Sequence, residues 1–184
     1  MSGTKKTVLF VIGSLREKSF NRQLADAARE VIGERAQVEE LIYADAPLMN
    51  QDKEYPAPAA VVRMRAQVKT ADALWIFTPE YNHGVPGALK NAIDWLSRPV
   101  KPGDTETPTC LKGKPVALAG CAGGSAAGYV LDELAGLLDF LGANVLGERT
   151  CVALDRAAFM SDVLTVADEV RAQLVAQADA LLAC

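Results

Sequence analysis

Two stretches of this 184-residue chain hold the residue types that could grip a ligand. In the first, Gly13 to Asn21 (GSLREKSFN), a glycine ends an apolar run. The hydroxyls of Ser14 and Ser19, the cation of Arg16 and the amide of Asn21 then lead into a helix. Main-chain N–H groups and the positive end of a helix dipole favour an anion, and a guanidinium adds charge-assisted hydrogen bonds, so the combination suits a phosphate group. Ser19 reads equally as a plain helix N-cap, and Arg16 as a solvated surface charge. The stretch has neither the GxGxxG dinucleotide pattern nor a P-loop's Lys-Ser/Thr ending, which favours a phosphate monoester over a pyrophosphate.

In the second stretch, Thr78 to Gly87 (TPEYNHGVPG), two prolines and two glycines flank Glu80, Tyr81, Asn82 and His83. Proline fixes φ and glycine permits positive φ, so such a loop can aim consecutive N–H and C=O groups at a planar polar ligand beside Tyr81. The alternative is a proline-ended turn with Tyr81 as packing. A third run, Gly120 to Gly128, is nearly all Gly, Ala and Ser. Its Ala122, Gly123 and Gly124 would let the main chain approach a ligand, or simply let a helix sit close on a sheet.

Other chemistries lack their residues. His83 is the only histidine, which leaves a Ser-His-Asp triad and an imidazole metal site unsupported; it reads as a loop residue or a ligand contact. Cys110, Cys121, Cys151 and Cys184 form no CxxC pair, so no metal site and no redox dithiol is expected, and only Cys121 falls near the three loops. No catalytic side chain is expected.

The three stretches must be held by an alternation of strands and helices. Val8–Ile12, Ala73–Thr78 and Val116–Gly120 are unbroken apolar runs, the pattern of strands buried on both faces; Val38–Ile42 and Asn144–Leu154 are weaker strands. Helical spacing covers Asn21–Val31, Ala59–Thr70, Ala88–Leu96, Tyr129–Leu141 (stopped at Gly142) and Ser161–Leu182. This alternation predicts an α/β domain spanning 1–184, a doubly wound five-stranded parallel sheet of order 2-1-3-4-5. Ligands of such sheets sit beyond the strands' carboxyl ends at the switch point, where the first two stretches fall.

Composition agrees. Half the residues are hydrophobic and 23% charged, enough for a core without staples. The net charge of −4 disfavours a nucleic-acid partner. The apolar run in MSGTKKTVLFVIG is too short for a signal peptide or membrane span, so no membrane partner and a cytoplasmic location are expected.

GSLREKSFN, followed some sixty residues later by PEYNHGVPGALKNAIDWLSRP, resembles the NADPH-dependent FMN reductases, which include soluble quinone, azo and chromate reductases. The resemblance implies a flavodoxin-like fold in which Ser14, Arg16, Ser19 and Asn21 surround the FMN phosphate. It also implies that Pro79, Glu80, Tyr81 and Asn82 line the isoalloxazine ring, with Ala122, Gly123 and Gly124 nearby on a third loop shorter than the family's usual one. NAD(P)H would be the co-substrate and a small molecule the electron acceptor: a quinone, azo or nitro compound, chromate or free flavin. A homodimer or homotetramer is implied, contacting through Ala88–Leu96 and Tyr129–Leu141, with Trp95 and Tyr129 as interface or core residues. The rival reading is a flavodoxin-like electron carrier. A phospho-receiver would need aspartates where Gly13 and Thr78 stand.

Overall fold

Apolar side chains alternate in direction along each central strand, and that alternation builds two cores. The computed structural model describes residues 5–184; Met1 to Thr4, where the N-terminal stretch considered above begins, lie outside the described residues. Strands β1 (Thr7–Ile12), β2 (Gln37–Glu40), β3 (Ala73–Thr78), β4 (Pro115–Ala122) and β5 (Asn144–Ala153) form a parallel sheet of order β2-β1-β3-β4-β5. Helices α1 (Phe20–Ile32), α2 (Ala59–Thr70), α3 (Gly87–Leu96), α4 (Gly128–Phe140), α5 (Arg156–Ser161) and α6 (Asp168–Ala183) follow in turn.

On one face Leu9, Val11, Leu74, Ile76, Val116 and Leu118 pack beneath α2, α3 and α4. On the other, Val8, Phe10, Trp75, Phe77, Ala119 and Cys121 pack beneath α1 and α6. Each fully buried large apolar side chain contributes about 1.5–3 kcal/mol. Trp75 stacks on Phe77 at 5.2 Å between ring centroids, and Phe10 meets both rings at 5.7 and 4.9 Å. The same core carries alanines 25, 28, 117 and 119, so small residues leave room for the aromatic group. Gly142 ends α4 at φ 81°, where its N–H donates to Asp139 O and the next N–H, of Ala143, to Leu138 O, the paired bonds of a glycine C-cap.

The structure corrects several expectations. The expected helix Ser161–Leu182 is interrupted: α5 ends at Ser161, with Asp162 as its C-cap in left-handed backbone (φ 57°), and α6 begins only at Asp168. The intervening Leu164 and Val166 lie against the α1/α6 core, and the Leu164 N–H donates to Gln23 Oε1 at 2.7 Å, a tertiary bond that replaces a helical one. The second strand occupies Gln37–Glu40 rather than Val38–Ile42, because past Leu41 the main chain turns to bond Gln67 on α2. The fourth strand runs two residues beyond Gly120, which makes Ala122 a strand residue paired with Ala153. Of the two readings of Trp95, interface or core, its burial supports the core: it is wholly buried and its indole donates to Pro47 O at 2.8 Å.

Candidate functional site

The carboxyl ends of β1, β3 and β4 converge on Thr78. A Cβ on Gly13 would lie 2.7 Å from Thr78 Oγ1, and one on Gly120 would lie 2.6 Å from Thr78 O and 2.8 Å from Ala127 Cβ. Only residues without side chains allow the strand ends to meet this closely. Above them opens a cleft of about 430 Å³, lined by all three loops.

The first loop forms one end of that cleft. Ser19 caps α1, its Oγ accepting from Asn21 N–H at 3.2 Å, and Ser14 Oγ accepts from Arg16 N–H at 3.3 Å. Both serines are buried yet line the cleft. The Arg16 guanidinium lies 5.5 Å from the Phe20 ring centroid and donates to Asp162 Oδ1 at 3.0 Å and to Lys18 O at 2.5 Å. Asn21 turns inward: its Nδ2 donates to Cys121 O at 3.2 Å, and its Oδ1 accepts from Cys121 N–H at 2.8 Å. The amide thereby ties the start of α1 to the end of β4.

The second loop is a tight reversal. Tyr81 and Gly84 exchange main-chain hydrogen bonds at 3.3 and 3.1 Å, and the two residues between them, Asn82 (φ 53°) and His83 (φ 60°), are both left-handed. That is the backbone of a type I′ turn, to which asparagine is well suited. The turn leaves Tyr81 half exposed at the cleft mouth and Asn82 at the tip, off the lining.

Three contacts fasten this turn to α4. The helix starts behind Ala126 and Ala127, both left-handed, and no side chain at its N-cap position bonds the helix. Glu80 takes that role from outside, Oε2 accepting from Val130 N–H at 3.0 Å. Burial alone would raise the Glu80 carboxyl, but the Ser125 side chain, the N–H of Val130, the nearby His83 and the N–H of Tyr129 together hold it below its usual range. Glu133 Oε2 accepts from Val85 N–H at 3.1 Å, and the His83 ring stacks on Tyr129 at 4.3 Å.

The fourth wall escaped the sequence reading. Leu154, Phe159 and Asp162, from the end of β5 through α5, join Phe20 and Cys121 in the lining. Phe159 meets Phe20 edge to face at 5.9 Å, and Gln23 Nε2 donates to Asp162 O at 2.9 Å. Burial pushes the Cys121 thiol up to about 12, so it stays protonated beneath the cleft.

Of the eleven residues expected at the site, nine line the cleft: Ser14, Arg16, Ser19, Asn21, Pro79, Glu80, Tyr81, Ala122 and Gly123. Asn82 and Gly124 stand outside it. Four lining residues, Ser14, Phe20, Glu80 and Gly123, have main-chain N–H groups that donate to no acceptor among the described residues. One pair lies at the end with Arg16 and the two serines, the other where the second and third loops face each other. The arrangement fits a ligand with a phosphate at one end and a flat ring with polar edges at the other.

Residues 6–157 match the family described as NADPH-dependent FMN reductase. A quinone reductase of Escherichia coli (strain K12) is 39% identical over 148 residues, which span 76% of this chain and 74% of that protein. An NAD(P)H-dependent FMN reductase of Pseudomonas aeruginosa is 41% identical over 118 residues, 64% of this chain and 60% of that one. Among solved structures, FerB, a flavoenzyme NAD(P)H:(acceptor) oxidoreductase from Paracoccus denitrificans, superposes with a TM-score of 0.82 at 29% identity, covering 97% of this chain and 96% of its own.

Proposed function

Because this chain belongs to the NADPH-dependent FMN reductase family, we propose that its cleft holds FMN and serves the reduction of quinones and similar small oxidants by NAD(P)H. When bound, FMN supplies two-electron chemistry, taking hydride from NAD(P)H and delivering it to the acceptor. With a quinone the balance is one quinone, one NAD(P)H and one proton giving a hydroquinone and NAD(P)⁺.

The chain's own part is to bind and orient. Ser14 and Ser19, the N–H groups of Ser14 and Phe20, and Arg16 hold the phosphate. Asn21 serves that end indirectly, by fixing the loop to Cys121. The main chain of Pro79 to Tyr81, with Ala122 and Gly123, would line the ring, with Asn82 and Gly124 standing outside the cleft. The N–H groups of Glu80 and Gly123, without acceptors among the described residues, would donate to a polar edge of the ring. The Glu80 carboxylate stays ionised on α4, so it is a positioning group and not a proton donor. Tyr81, 54% exposed, offers an apolar lip to a flat substrate.

The observation that carries this reading is the cleft that joins both loops and collects their unpaired N–H groups. Anaerobic addition of NADPH to the FMN-loaded protein should bleach the flavin absorbance promptly, and a quinone should restore it. Absence of bleaching overturns the reductase reading in favour of an electron carrier. The loop Ala122–Ala127 has no aromatic residue to shield a flavin's second face, which favours the reductase.

The assembly we propose is a homodimer or homotetramer built on α4, where Tyr129 and Phe140 are 58% and 85% exposed. Sedimentation velocity tests this, a monomer at working concentration being the contrary result. None of the helices among the described residues is long and apolar enough to cross a membrane. The four cysteines form no disulfide, which supports the reducing cytoplasm as the place of work.

A further inference from the structure

A second cleft, of about 660 Å³, lies between α2, the segment around Tyr55 and the stretch from Leu96 to Lys114. It shares no lining residue with the cleft at the strand ends. Tyr55, Pro56, Val62, Leu96 and Val100 give it apolar walls. Every charged group in its lining is a cation: Arg65, Lys69, Arg98, Lys112 and Lys114.

Little within the chain balances that charge. Arg98 is paired with the buried Glu54 carboxylate at 2.7 and 3.2 Å. The other four cations form no ion pair among the described residues. Lys114 Nζ donates to Ala71 O, and Arg65 Nη2 to Trp95 O at 3.1 Å, while Arg65 Nε is buried with no hydrogen-bond partner. Burial raises the pKa of Cys110 in the same wall, so its thiol stays neutral and adds no opposing charge.

We propose that this cleft is a second binding site, for a small organic anion with an aromatic or branched apolar body, such as an aryl sulfonate or aryl carboxylate. Concave, low-dielectric walls lined with one sign of charge focus the field on an opposite charge. An anion there gains opposite charge from Lys69, Lys112 and the Arg65 guanidinium and covers apolar wall at the same time. The volume falls within the range of roughly 300–1,000 Å³ that suits small molecules. A polyanionic macromolecule is disfavoured by the chain's overall charge of −4. The inference does not depend on the flavin reading.

Calorimetric titration of the FMN-loaded protein with naphthalene sulfonate, and separately with the neutral naphthalene sulfonamide, tests it. The expected result is one sulfonate bound per chain, with the sulfonamide about tenfold weaker or worse. In the double variant Lys69→Glu/Lys112→Glu, at two exposed positions, sulfonate affinity should drop by about tenfold or more. Lys69→Arg/Lys112→Arg should keep it, with FMN content and quinone reduction unchanged in both variants. Equal sulfonate affinity in the charge-reversed variant, or displacement of the probe by NADPH or a quinone, overturns the proposal.

Discussion

The carboxylate of Glu80, just past the end of β3, accepts the main-chain N–H of Val130 at 3.0 Å and so caps α4 through a residue 50 positions further along the chain. The loop after β3 and the loop after β4 are therefore one mechanical unit.

Glu80→Ala should cost about 1 kcal/mol of stability through the lost cap, and Glu80→Gln less. The pH dependence has a definite sign. Folding holds the Glu80 pKa below its unfolded value, so the carboxylate's contribution is fully present above that value and is lost as pH falls through the folded one. Urea unfolding should show the gap between the parent and Glu80→Gln level above about pH 5 and shrinking below about pH 4. A gap that widens on acidification would contradict this.

Asn21→Ala leaves both the N–H and the C=O of buried Cys121 without partners, at about 1–3 kcal/mol for each group. A lowered melting temperature should come with weaker FMN retention, since the first loop loses its tie to β4. Thermal unfolding with and without FMN reads both effects.

Arg16 and Asp162 make opposite predictions. Arg16→Ala should weaken FMN binding by about tenfold and leave riboflavin, which lacks the phosphate, unaffected. Asp162→Asn frees the guanidinium from its carboxylate and should strengthen FMN binding. Fluorescence titration with the two flavins separates the phosphate contribution from that of the ring, and equal losses for both flavins would remove Arg16 from the phosphate end.

Gly120→Ala drives a methyl group to 2.6 Å from a main-chain oxygen that cannot retreat without moving β3. A loss of about 1–3 kcal/mol is expected in urea unfolding. Gly123→Ala, where a Cβ meets nothing within 4 Å, is its control and should be close to neutral for stability.

Thiol labelling of the native protein should spare Cys121, buried and held protonated, while the exposed Cys184 reacts. Reaction of Cys121 before unfolding would show that the floor of the cleft opens.

What the amino-acid sequence discloses follows from where each signal resides. β1, β3 and β4 are legible because strands covered on both faces read as unbroken apolar runs, whereas the edge strand β2 carries two glutamates and blurs its own ends. The loops announce themselves through glycine, proline and hydroxyl residues. The roles of single side chains do not: Asn21 finds its partner 100 residues away and Arg16 finds its own 146 away, distances at which local pattern carries no information. Val163, Leu164 and Val166 mislead because their spacing suits a helix as well as it suits a strap laid over a core. Only the bond from Leu164 to Gln23 decides between the two.

The match to the shared family pattern stops at residue 157, yet the cleft does not. Phe159 and Asp162, which close one side, come from chain beyond that limit. Because Asp162 holds the Arg16 guanidinium and Phe159 meets Phe20, grafting another relative's segment onto the end of β5 would retune the end of the cleft where Arg16 and the two serines stand, while the loops after β3 and β4 stayed as they were.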